Sequence, residues 1–208
     1  MSALSDELAQ VRTKKKEFLA QIERIVPWKE WLVLIQPCYY KGERGNKPYP
    51  LETRPRLYLL QNLYDLSDET TAAEAIDSRA FSDFCGVDSS NQVPDGDTIG
   101  RFRNLLVKNG LQEKLFAQVV AALMKRGMIL KKGTIVDSTI ISAPSSTKNK
   151  EKKRDPDAHQ VRKGNIWHFG YKAHIGADKD SGLVHTIAVT AANVHDVSQT
   201  ASLRSEER

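Results

Sequence analysis

The stretch GTIVDSTIISAPSSTKNK, residues 133–150, decides how this chain is read. Thr134, Ile135, Val136, Thr139, Ile140 and Ile141 give it the β-branched composition of a strand buried on both faces. Asp137 stands in the middle of that run. A carboxylate loses hydration in such a place, so the chain must offer it a partner, a hydrogen-bond network or a metal. A lysine-rich tract follows at once, which sets a buried acid beside a basic arm.

Outward from this strand, composition bounds the answer. The 208 residues are 40% apolar, enough for the core of one or two domains. The 31 Lys and Arg outnumber the 26 Asp and Glu, for a net charge of +5 and a pI near 9.1. That balance leans toward nucleic acid or another polyanion, and an ordinary basic soluble protein fits it equally. Cys38 and Cys85 are too few and too scattered for a disulfide framework or a zinc knuckle. The longest apolar runs, WLVLI and LFAQVVAALM, fall short of the roughly 18 residues a membrane span needs. The amino terminus carries no apolar region ahead of a cleavage site. The chain therefore reads as cytoplasmic, with no membrane partner.

Residues 1–128 read as helical. Leu4, Leu8, Val11, Phe18, Ile22 and Ile25 recur at helical spacings, and Pro27 breaks the pattern before Trp28, Trp31, Leu32 and Ile35 resume it. Residues 36–50 have loop composition. A further helix follows in LETRPRLYLLQNLY, where Pro55 is tolerable only in the first turn. Ser67 or Asp68 is suited to cap a helix over 69–80. Asp97 or Thr98 is suited to cap one that runs to Asn109 and stops at Gly110. Leu115, Val119 and Leu123 mark a last helix over 111–126.

From residue 133 the period changes. Residues 134–142 read as a strand and 143–165 as an exposed polar loop. In WHFGYKAHIGAD, Trp167, Phe169, Tyr171, Ala173 and Ile175 alternate with His168, Lys172 and His174, which makes the aromatic face the core face first, with stacking of Trp167 and Tyr171 on bases as the alternative. KDSG, residues 179–182, turns the chain into a return strand ending in NVHD. The fold class expected is α+β, a helical domain 1–128 followed by a sheet domain 129–208.

Two features carry chemistry. Asp137 in one strand and Asp196 past the end of another are carboxylates that a single sheet can bring to one edge. Such a pair suits Mg²⁺, and two such ions activate phosphodiester cleavage; a salt bridge or a helix cap is the commoner role for such acids. Between Ala143 and Lys172 stand eight cations, Lys148, Lys150, Lys152, Lys153, Arg154, Arg162, Lys163 and Lys172, against three anions. A phosphate backbone rewards such a segment through counterion release, without reading sequence; a solvated linker is the alternative. His195, beside Asp196, suits a turn cap or a phosphate contact.

These segments resemble the transposases of bacterial insertion sequences of the IS-five family. IVPWKEWLVLIQP, KPYPLETRPRLYLLQNLYDLSD, VPDGDTIGRFRNLL, GTIVDSTIISAPSSTKN and SGLVHTIAVTAANVHD follow that family's order over about residues 20–200. The resemblance implies a DDE transposase: a helical region that recognises element ends, then an RNase H-like catalytic domain. Carried over, Asp137 and Asp196 are the first and second catalytic carboxylates and hold Mg²⁺ or Mn²⁺ for DNA strand cleavage and transfer in transposition. Lys148, Lys150, Lys152, Lys153, Arg154, Arg162 and Lys163 lie along the DNA. The implied partners are double-stranded DNA, as terminal repeats and target, and further copies of the chain; the implied location is the nucleoid. The family's third carboxylate is a glutamate on a later helix, and Glu206 and Glu207 lack its sequence context. The expectation is thus a catalytic domain incomplete at its C-terminus and inactive alone, the alternative being a DNA-binding fragment that occupies element ends without cutting. Pro55, Gly96 and Gly100 depart from the family's pattern in helical positions.

Overall fold

The computed structural model describes residues 11–39, 48–130, 133–147 and 153–204. They belong to two compact units, Met1–Ala122 and Leu123–Arg208. The architecture is α+β: a helical region followed by a small antiparallel sheet.

In the first unit, α1 (Lys14–Ile25) and α2 (Trp28–Ile35) are parted at Pro27, which lacks the N–H that would continue the ladder. Leu19 turns to the core and Phe18 is 41% exposed, so the inward stripe is rotated from the one the sequence suggests; Leu4 and Leu8 lie outside the described residues. α3 (Thr53–Tyr64) carries Pro55 in its first turn, where its missing N–H costs nothing. α4 (Asp68–Asp77) is capped by Ser67, whose hydroxyl accepts from the Thr70 amide at 3.1 Å. Its end at Ser78 lets a separate short helix form, α5 (Arg79–Cys85), that the periodicity does not suggest.

α6 (Gly96–Lys108) is capped by Asp95, which accepts from Thr98 N at 2.7 Å, so the cap sits two residues before the one expected. Hydrogen bonds from the Thr98 side chain and then its backbone amide hold the Asp95 carboxyl below the usual carboxylate range. α7 (Leu111–Lys125) follows after Gly110, whose φ of 57° makes the left-handed turn between the two helices. Ile35, Leu57, Leu60, Phe81 and Leu106 are at most 2% exposed. Each contributes about 1.5–3 kcal/mol by burial. Polar pegs fix the packing: Trp31 Nε1 donates to Leu115 O at 3.1 Å, and buried Arg54 donates to Thr98 O and Tyr39 Oη, both at 3.1 Å.

The second unit is a four-stranded antiparallel sheet, β1 (Thr134–Ser142), β2 (His159–Lys163), β3 (Ile166–Asp178) and β4 (Val184–Ala191), with α8 (Asp196–Arg204) after it. β3 is the hub. Its second half pairs with β1, Asp137 opposite Ile175, and with β4, Ile175 opposite Ile187. Its first half, Ile166 to Gly170, pairs with β2. The region 143–165 is therefore not loop throughout. The five residues of β2 alternate too briefly to stand out among so many charges, and Gly164 at φ 61° with Asn165 makes a two-residue turn into β3. Gly170 is required where the pairings meet, since a Cβ there would stand 2.0 Å from Ile141 O. Asp178, 1% exposed, fixes the next turn by accepting from Ser181 N at 3.0 Å and Ser181 Oγ at 2.8 Å.

Which face of this sheet is covered reverses the expectation. α8 packs across β1, β3 and β4 on the side of His174 and Gly176, and Leu203 is 1% exposed. His174 (0%) and Asp178 (1%) are sealed on that side, and a register shift at Gly176/Ala177 accompanies the burial of His185 (7%). The apolar face is the open one: Ile135, Ile141, Ile187, Val189 and Trp167 are 47–64% exposed.

Candidate carboxylates and nucleic-acid interface

Strand alternation settles where the two aspartates stand. Asp137 shares the open face of β1 with Ile135, Thr139 and Ile141, and its side chain is exposed. The strand is not buried on both faces, so the carboxylate keeps its water, and Oδ1 accepts from the next amide, Ser138 N, at 2.7 Å. Asp196 opens α8 on the opposite, covered side. Its Oδ1 lies 3.0 Å from Lys172 Nζ and 3.7 Å from His174 Nδ1. Lys172 also donates to Val194 O at 2.8 Å, so one ammonium ties the NVHD turn to β3. The Lys172 hydrogen bond holds the Asp196 carboxyl below the usual range, with a lesser contribution from Ser138. Burial pushes His174 down, against the pull of Asp196; its Nε2 lies 2.9 Å from Thr190 Oγ1 and its Nδ1 has no hydrogen-bond partner.

A magnesium ion holds its oxygens at about 2.1 Å, so two ligands must reach one point in space. Asp137 and Asp196 lie on opposite faces of one sheet, with β1 and β3 between them. Among the described residues no three His, Cys, Asp or Glu side chains gather as a metal site. The residues as arranged do not fit a shared metal, and an ammonium already occupies Asp196. The arrangement supports an ion-paired anchor at Asp196 and a solvated carboxylate at Asp137.

The basic residues divide likewise. Lys148, Lys150 and Lys152 lie outside the described residues. Lys153, Arg154, Arg162 and Lys163 are exposed. Arg154 donates from Nε to Ser145 O at 3.0 Å and lays its guanidinium over Phe169, 5.6 Å from the ring centre. Arg162 folds over the β2–β3 turn, donating to Gly164 O at 3.1 Å and Asn165 Oδ1 at 3.3 Å. Tyr171 donates to Asp155 Oδ2 at 2.6 Å, which draws one of the nearby acids away from the cations; that bond pushes the Tyr171 hydroxyl up to about 12.

Comparison with known families supplies what geometry leaves open. Residues 6–105 match a transposase domain, DUF772, and residues 129–208 match a transposase DDE domain. The chain belongs to the DDE transposases of insertion sequences. In this transposase the first match lies within the helical unit and the second within the unit that holds the sheet. The matches identify DDE transposases and go no finer, so the IS-five group remains a resemblance. No solved structure matches the chain. No helix among the described residues is long and apolar enough to cross a membrane. The alternation of β3 suggests a core position for Trp167, whereas its cross-strand pairing with Arg162 is the signal for an open one.

Proposed function

We propose that this transposase chain binds the double-stranded DNA of its element's ends, through the cations of residues 148–163 and the helical domain, and serves DNA strand cleavage and transfer. The observation that carries this reading is the exposure of Lys153, Arg154, Arg162 and Lys163 on and beside the β2–β3 ribbon, where no acidic residue stands from Ala158 to His174. Exposed cations on a solvent-facing ribbon release counterions from a phosphate backbone. Divalent metal chemistry, with Mg²⁺ or Mn²⁺, belongs to the DDE family reading. Asp137 is the carboxylate we assign to it, because it is solvated and lies on the same sheet face as Trp167. Asp196 we assign to anchoring the start of α8 rather than to sharing an ion with Asp137. A homo-oligomer is compatible with this reading, and nucleoid association follows from it.

The test is a mobility shift of the full chain with DNA flanking its own gene, against scrambled DNA of equal length, at several salt concentrations. The expected result is tighter binding of the flanks and steep salt dependence. In a variant carrying R154E, R162E and K163E, binding falls at least tenfold on both DNAs, and the salt slope shallows by roughly 0.9 for each phosphate no longer neutralised. Equal affinity in the charge-reversed variant contradicts the interface.

A second reading, nicking by this chain itself, rests on the exposure of Asp137. It requires Mg²⁺- or Mn²⁺-dependent relaxation of supercoiled DNA that Asp137→Ala abolishes.

A further inference from the structure

Trp167 and Ile166 are each 64% exposed, at the root of a two-residue turn in a strand pair. A tryptophan and an isoleucine left in water at adjacent positions have no role in this unit's packing, since the covered face lies under α8. The pairing sets Arg162 directly across from Trp167, and Gln160 across from Phe169, so all four share one face. Beside them a groove of about 290 Å³ is lined by Trp167, Phe169, Gln160, Arg154 and Ser145. It therefore combines an open indole face, a second ring, an amide that both donates and accepts, and the Arg154 guanidinium, while Arg162 stands across from Trp167 at the neighbouring turn. Lys163 stands on the other side of the same ribbon tip.

That set of groups fits a nucleobase attached to a phosphate. Every base has a π-face, and stacking on an aromatic side chain is tolerant of sequence. The guanidinium groups meet the backbone charge, and the amide reads an exposed base edge. A base inside a duplex offers its face to its neighbours and not to Trp167. We propose that the β2–β3 ribbon is a base-stacking arm for unpaired DNA, with Trp167 stacking on a base and Arg162 and Arg154 holding its phosphates. The inference rests on the DNA-binding reading given above and adds the form of DNA and the residue that distinguishes it.

The chain holds three tryptophans, and Trp167 is the only one outside the helical unit, so it is separable by spectroscopy. The experiment labels the full chain with 5-fluorotryptophan, assigns Trp167 in the fluorine NMR spectrum through Trp167→Phe, and titrates a 15-nucleotide single strand and then the blunt duplex of the same sequence. Affinities are measured in parallel for Trp167→Ala, whose thermal unfolding serves as the folding control. The expected result is a shift of the Trp167 resonance on adding the single strand. Trp167→Ala then binds the single strand about tenfold or more weakly and the duplex within about twofold of wild type, while Trp167→Phe retains most single-strand affinity. Equal effects of Trp167→Ala on both DNAs, or none on either, overturn the stacking arm and leave phosphate binding standing. Absence of binding to both DNAs at every salt concentration overturns the DNA reading itself.

Discussion

Asp137 and Asp196 make the same chemical group in two environments. Asp137 sits on an open strand face and takes one hydrogen bond, from the next amide. Asp196 is clamped by Lys172 at 3.0 Å beside the buried ring of His174. Its carboxyl is depressed in the folded state, so its stabilisation is present above the unfolded carboxylate range and is lost as the pH falls through the folded value. The side chain is 54% exposed, which screens the pair. Asp196→Asn therefore costs less than about 1 kcal/mol at pH 7, and less again at a pH below the unfolded carboxylate range. Urea unfolding at the two pH values measures both; a difference that grows on acidification contradicts the clamp. Both aspartates stand out in the sequence as candidate site residues. Their separation is not, because it depends on which way the chain leaves β4: Lys172 draws the NVHD turn onto the covered side, and a charge contact across 24 residues leaves no local pattern.

At the scale of elements, α4 meets α6 where a glycine replaces the apolar residue a helix would prefer. A Cβ on Gly100 would stand 2.8 Å from Asp68 Oδ2. That carboxylate is gripped by the Arg103 guanidinium at 2.8 and 2.9 Å and by Gln61 Nε2 at 2.6 Å. The glycine is thus the clearance for an ion-paired fork between helices, and not a flaw. Alanine in a helix interior gains about 1 kcal/mol over glycine, yet Gly100→Ala here lowers stability by about 1 kcal/mol because the fork must shift. In an Asp68→Ala background the same change raises stability by about 0.5–1 kcal/mol. Denaturant midpoints of the four proteins check this reversal of sign, and stabilisation in both backgrounds contradicts it.

The long periodic elements are legible from sequence: 134–142 matches β1 residue for residue, and 111–126 gives α7 within one residue. α5, of seven residues, and β2, of five, are too short to show a period against their neighbours. The sheet's alternation is legible as alternation, but the side it buries is the opposite of the one expected. Hydrophobicity predicts the inner face only where something covers it, and here α8 lies over the face of Lys172 and His174, with Ile187 and Val189 left in water.

For the whole molecule, the sheet unit presents an open face on which Asp137, Trp167, Arg162 and exposed aliphatic side chains stand together, and the helical unit carries the other half of the transposase signature. The family assignment rests on residues spread through both units, whereas the DNA contact is argued from a single ribbon. Hydrogen exchange of the full chain, with and without DNA from its gene's flanks, followed by mass spectrometry, tests that contact most directly. Slowed exchange is expected across residues 153–169, with the greatest protection in β2 and the start of β3. Unchanged exchange throughout 153–169, in a complex shown to have formed, would contradict that contact.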